Sequence, residues 1–91
     1  MLAEVKIALR VSHSVLDGEI NDLIDAARHD LMLSGVSILK AADDTDPLIK
    51  RAIITYAKAH FLSDDTTAER FLKSYNSLKT HLTLAGDYIG Q

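Results

Sequence analysis

The residues of this 91-residue sequence that could do chemistry are acidic side chains and histidines. Asp25 and His29 are four positions apart, so on a helix they would share a face and could hold a metal ion. No third ligand follows on that face, and a solvent-exposed ion pair explains two such residues far better than a metal site does. The spacing therefore predicts no metal site.

A second acidic pattern, Asp43-Asp44-x-Asp46, resembles the start of a calcium-binding loop. An EF-hand loop needs a glutamate at its twelfth position, whereas counting from Asp43 or Asp44 reaches Ile54 or Thr55. The pattern therefore does not predict a calcium site.

Catalytic motifs are also missing from the sequence. The four histidines lie singly, and the four glycines never approach the spacing of a phosphate-binding loop. We therefore expect no catalytic residue, no cofactor and no enzymatic activity.

The composition is that of one small globular domain, with 47% hydrophobic and 25% charged residues. It has no cysteine, so helix packing rather than disulfides must stabilise it. We expect no membrane span and no signal peptide, because charged residues interrupt every apolar run. The net charge of -3 disfavours a general nucleic-acid binder.

Apolar residues at three-and-four spacing predict an all-α fold, a small bundle of about four helices, one short and three longer. The predicted helices are residues 2–9, 17 to 33 or 34, 47 to 61 or 62, and 66–82. These make a helical domain at 1–82, and an extended tail follows at 83–91. The tail either packs on its own bundle or reaches a partner.

Helix boundaries can be predicted from capping residues. Asp46 before Pro47 is typical of an N-cap followed by the first helical position, and Gly35 is suited to end the second helix. Thr66 and Glu69 match a capping box at the start of the fourth helix.

Packing is predicted from the same periodicity. The third helix is apolar over more than half its circumference, so we expect it at the centre of the bundle, in an antiparallel hairpin with the fourth. We expect Ile53, Phe71 and Tyr75 in the core. In the long connection at 35–46, the apolar residues should tuck under the bundle and the acidic residues should be exposed.

Charge is distributed unevenly along the chain, because the second helix is acidic and the third and fourth are basic. The acidic residues are Asp17, Glu19, Asp22, Asp25 and Asp30, and the basic ones are Lys50, Arg51, Lys58, Arg70, Lys73 and Lys79. Such faces are either simply solvated or suited to a head-to-tail contact between copies that closes into a ring.

Four segments in this order resemble the head-tail connector family, the small helical adaptor or head-completion proteins of tailed phages and prophages. They are Glu4-Val5-Lys6-x-Ala8-Leu9-Arg10-Val11, Asp17-x-Glu19-Ile20-x-Asp22-Leu23-Ile24-x-Ala26-Ala27, Asp46-Pro47-Leu48-Ile49-x-x-Ala52-Ile53-x-x-Tyr56 and Glu69-Arg70-Phe71-x-x-x-Tyr75-x-x-Leu78-x-x-x-Leu82.

The resemblance implies a structural virion protein at the head-tail junction, assembled in the cytoplasm of the bacterial host. Its partners would be the portal protein, a stopper or tail-completion protein, and further copies in a ring of roughly twelve. DNA would pass through the ring without sequence-specific binding. Interface roles are carried over to Lys40, Asp43, Asp44 and Thr45 in the long connection, and to Leu84, Tyr88 and Ile89 in the tail.

Two alternatives stay open. In one, the third and fourth helices form a helix-turn-helix with Lys50, Arg51, Arg70 and Lys73 on phosphates. That helix pair lacks a cluster of base-reading side chains, and the turn before its recognition helix is acidic. The other alternative is a helical bundle that binds a cytosolic partner and has no viral role.

Overall fold

The computed structural model describes residues 1–61 and 64–89, which form five helices and a 3₁₀ turn, with no strand in these ranges. The elements are α1 (Leu2–Leu9), α2 (Asp17–Leu33), α3 (Ile38–Ala41), α4 (Pro47–Phe61), α5 (Asp65–Leu84) and the 3₁₀ turn Gly86–Tyr88. The predicted all-α bundle is confirmed. Four residues lie outside the described ranges: Leu62 at the predicted end of the third helix, Ser63 after it, and Gly90 and Gln91 in the predicted tail.

Helix α4 occupies the centre of the bundle and contacts α1, α2 and α5. Its buried residues include Ile49, Ile53 and Ala57, none of which is accessible to solvent. Burying a side chain such as isoleucine contributes about 1.5–3 kcal/mol, so this helix supplies much of the stability of the domain. The predicted central position is confirmed.

Helices α4 and α5 form the predicted antiparallel hairpin. The rings of Tyr56 and Tyr75 meet edge to face with centroids 5.1 Å apart, and the Lys58 Nζ lies 5.2 Å from the centroid of the Phe71 ring. The contacts thus move forward along α4 while they move backward along α5, as only antiparallel helices allow.

Helix α2 packs on the core through the face predicted from its spacing. Ile20, Ile24, Ala27 and Leu31 are all buried. The helix ends before Gly35, whose φ of 116° lies in the left-handed region that glycine adopts without strain. A salt bridge of 2.7 Å between Lys6 Nζ and Asp17 Oδ1 joins α1 to the start of α2.

Two predictions about α5 are wrong. The helix begins at Asp65 with Asp64 as N-cap, because the Asp64 carboxylate accepts hydrogen bonds from the Thr66 backbone N–H at 3.2 Å and from Thr67 Oγ1 at 2.6 Å. Thr66 therefore lies inside the helix and does not cap it. Phe71 is only half-buried, whereas Tyr75 and Ile53 are in the core as predicted.

The long connection also differs from its prediction. Val36 is buried, but Ile38 and Leu39 belong to the short helix α3 and are 68% and 77% exposed. The Ser37 side chain caps α3 by accepting a hydrogen bond from the Lys40 backbone N–H. The helical turn that follows directs the Ile38 and Leu39 side chains outward. The acidic part is not fully exposed either, since Asp46 is buried.

Candidate functional site

The Asp46 carboxylate joins three parts of the chain. Its Oδ1 accepts hydrogen bonds from the backbone N–H groups of Leu48 at 2.9 Å and Ile49 at 3.2 Å, which confirms Asp46 as the N-cap of α4. The Tyr88 hydroxyl donates to its Oδ2 at 2.9 Å, and Lys40 Nζ lies 3.5 Å from the same oxygen.

Burial of the Asp46 carboxylate acts to raise its pKa, but the hydrogen bonds from Tyr88 and from the backbone of α4 outweigh this effect. The pKa is therefore lower than that of an ordinary aspartate, and the folded protein favours the charged form. One ionised group thus stabilises the start of α4 and the position of the tail together.

The tail packs on its own bundle, which is the first of the two arrangements left open by the sequence. The Ser37 backbone N–H donates to the Tyr88 carbonyl at 2.8 Å, and Val36 forms an antiparallel bridge with Ile89. Lys40 Nζ lies 5.0 Å from the centroid of the Tyr88 ring. The segment after α5 therefore lies against the connection between α2 and α4.

The residues predicted for the interface have different local environments. Lys40 and Tyr88 belong to the Asp46 cluster, and Ile89 is half-buried beside it. Leu84, at the end of α5, is 80% exposed.

The other predicted interface residues lie in the connection and have polar partners there or on α2. The Asp43 carboxylate accepts from the backbone N–H of Thr45 at 3.0 Å and from its hydroxyl at 2.6 Å, and these bonds lower the pKa of Asp43. Asp44 accepts from Arg28 at 2.6 Å. The interface roles of all seven residues stay predictions, and the structure adds that six of them, all but Leu84, have a polar partner or a backbone bridge within the subunit.

An apolar patch, here called the apolar end, lies where α2 and α5 finish. Its members are 68–80% exposed and are Leu33, Ile38, Leu39 and Leu84. The two helix ends are close, because a Cβ placed on Gly35 would lie 4.0 Å from Thr83 Cγ2. Leu33 was not predicted as an interface residue, although its position off the buried stripe of α2 indicates an exposed apolar side chain.

A surface groove runs between α4 and α5 on the outside of the hairpin. It comprises two adjoining depressions of about 500 and 560 Å³ that share Arg51, Thr55 and Phe71. The lining carries four cations and several apolar side chains, and it includes no acidic residue. The charged and large apolar members of this basic groove are Lys50, Arg51, Lys58, Lys73, Leu48, Ile54, Phe71 and Leu78.

The acidic surface predicted on the second helix is smaller than the sequence indicated. Glu19, Asp22 and Asp25 are exposed and form what we call the acidic face. Asp17 is engaged by Lys6, and Asp30 is engaged by side chains of α5.

Asp30 links α2 to α5. The Tyr75 hydroxyl donates to Asp30 Oδ2 at 2.6 Å, and Lys79 Nζ lies 3.0 Å from the same atom. Burial and the neighbouring carboxylate raise the pKa of Tyr75 far above its usual range. Burial acts to raise the pKa of Asp30, but the bonds from Tyr75 and Lys79 outweigh it and lower that pKa. This cluster positions α5 against α2.

Other sequence candidates remain isolated. Asp25 and His29 are both exposed on α2, and no group of three or more potential metal ligands occurs within residues 1–61 and 64–89. None of the helices described here is long and apolar enough to cross a membrane.

Comparison with known proteins gives one match. The model of a family described as phage connector protein matches residues 1–89. No curated protein and no solved structure gives a significant match to the chain. Because the family model takes in nearly the whole sequence, including every helix described above, the chain belongs to the phage connector protein family.

Proposed function

We propose that this protein is a structural component of the phage head-tail junction, where copies form a ring beneath the portal vertex. The ring joins the DNA-filled head to stopper or tail components. The observation that carries the proposal is the family match over residues 1–89, which indicates a connector role in a phage particle.

The surface of the molecule supports this function. A connector needs surfaces for its neighbours in the ring and for the proteins above and below. The apolar end leaves four large aliphatic side chains in water, which a binding partner would cover. The basic groove and the acidic face supply surfaces of opposite charge on different elements.

The role that we propose is architectural and requires no catalysis. The titratable groups with shifted pKa values have structural partners, as in the Asp46 and Asp30 clusters. The helix-turn-helix alternative gains no support from the packing, because α5 lies antiparallel along α4, with Tyr56 against Tyr75 and Lys58 against Phe71. The two helices of a helix-turn-helix instead meet at a wide angle.

Native mass spectrometry over a concentration series tests the proposal, with and without the portal protein encoded by the same genome. The matched control is the portal protein of an unrelated phage. We expect rings of roughly twelve copies, or assembly that requires the cognate portal protein. A stable dimer that ignores the portal protein would contradict the proposal and favour a regulatory module.

A further inference from the structure

We infer that the basic groove of one subunit binds the acidic face of α2 on the next subunit, so that one head-to-tail contact repeated by rotation builds the ring. This inference rests on the proposed function and assigns residues to the contact between copies. The occupant of the groove is thus a second copy of this chain.

The charge of the groove is the first argument. Its lining carries four cations and no carboxylate, in a chain whose net charge is -3. Of these four cations, only Lys50 has an ion-pair partner among the described residues, with its Nζ 3.7 Å from Glu4 Oε2. Arg51 and Lys73 are exposed. Like charges gathered around a depression repel one another, and an acidic surface entering the depression would relieve that repulsion.

The shape of the groove is the second argument. Ile54, Phe71 and Leu78 are half-buried in its walls, so the groove offers apolar contact beneath a charged rim. This arrangement matches the usual anatomy of a protein interface, in which an apolar centre is surrounded by polar groups.

The acidic face has matching charge and length. Glu19 and Asp25 are separated by roughly 9 Å of helix rise, and Arg51 and Lys58 by roughly 10 Å. The Glu19, Asp22 and Asp25 carboxylates have no salt-bridge partner within the described part of the chain. A helix lying in the groove could therefore bring carboxylates near the cations along its length.

The contact has to form between subunits, because the two surfaces lie on opposite sides of α4. On a helix that turns about 100° per residue, Arg51 and Lys58 lie about 140–160° around α4 from the buried Ile53. Helix α2 packs on the buried side, with its acidic face turned outward. Because the two surfaces differ, the contact is heterologous, and such contacts close into rings when the rotation permits.

Charge-reversal variants test this inference. Arg51→Glu in the groove and Asp22→Lys on the acidic face should each raise the concentration needed for assembly by about tenfold or more, because each places like charges in the contact. The double variant Arg51→Glu/Asp22→Lys should recover assembly. Assembly is measured by native mass spectrometry, alone and on the cognate portal protein.

Matched controls come from exposed charges outside both surfaces. Arg70 and Glu69 lie on α5 and do not line the groove. The variants Arg70→Glu and Glu69→Lys should therefore assemble like the wild type. Circular dichroism and an unchanged melting temperature show that each variant folds.

The outcomes separate this inference from the proposed function. Wild-type rings together with single variants that assemble equally well would overturn the inference and leave the connector function intact. A wild type that forms no ring, alone or on the portal protein, would overturn both. If Arg51→Glu abolished binding to a 30-base-pair duplex but left assembly unchanged, the groove would be a nucleic-acid site and the inference would be wrong.

Discussion

We expect Asp46→Ala to destabilise the protein more than the alanine substitution of any other aspartate that lies outside the helices. The carboxylate caps α4, accepts from the Tyr88 hydroxyl and lies near Lys40. Alanine removes all three interactions at a position that is only 9% exposed.

The magnitude follows from these contacts. Loss of a helix N-cap costs about 0.5–2 kcal/mol, and a hydrogen bond to a charged group is worth about 1.5–3 kcal/mol. Lys40 lies 3.5 Å away and is partly exposed, so its pairing adds little. We therefore expect a loss of about 2–5 kcal/mol. A loss of about 2 kcal/mol would lower the melting temperature of a domain of this size by roughly 8–16 °C.

The assay is urea unfolding followed by circular dichroism for Asp46→Ala, Tyr88→Phe and the double variant. Asp43→Ala is the matched control, because among the described residues the Asp43 carboxylate accepts hydrogen bonds from Thr45 alone. We expect the effects at Asp46 and Tyr88 to be non-additive, with a coupling free energy above about 0.5 kcal/mol. A cost below about 0.5 kcal/mol for Asp46→Ala, or full additivity, would refute the reasoning.

Three further predictions concern the core, the groove and acid stability. Tyr75→Phe keeps the buried ring but removes the bond to the Asp30 carboxylate, so the free energy of unfolding in urea should fall by about 1.5–3 kcal/mol; an unchanged value would contradict the role of the hydroxyl. Phe71→Ala should lower the free energy of unfolding by about 1–2 kcal/mol, less than the 3–5 kcal/mol typical of a fully buried ring. It should also weaken assembly in native mass spectrometry. A cost of about 3 kcal/mol or more would place the ring in the core. The pKa values of Asp46 and Asp30 are lower in the folded state than in the unfolded chain, so the stability they contribute is complete above about pH 5 and is lost as the pH falls through the folded pKa values. Urea unfolding at pH 7, 5 and 3 should show this loss, and Asp46→Asn should reduce it; equal loss in the variant would contradict the assignment.

Much of the fold could be predicted because local signals and packing agree. The Asp46-Pro47 pair marks the start of α4, Gly35 follows α2, and the apolar stripe of α2 points into the core. In these segments, capping chemistry and periodicity favour the same structure.

The errors occur where two signals compete or where a contact is distant in sequence. Asp64 and Thr66 are both good caps, and the aspartate two residues earlier is the one that caps α5. Phe71 fits the inner stripe of α5 in the sequence. In the structure its ring is half-buried and lines the groove between α4 and α5. No local pattern could reveal that Tyr88 bonds to Asp46, 42 residues away.

The candidate surfaces were only partly predictable. The charge asymmetry between helices is visible in the sequence, but Asp17 and Asp30 are engaged within the subunit and do not belong to the acidic face. The apolar end was not predicted, because Leu33 and Leu84 share one end of the bundle only when α2 and α5 finish there together.

The most direct test of the connector function is electron microscopy of particles from the phage or prophage that encodes this chain, after its gene has been deleted. We expect DNA-packaged or leaking heads and separate tails that do not join, with complete virions restored when the chain is supplied from a plasmid. Complete tailed virions in the absence of the gene would contradict it.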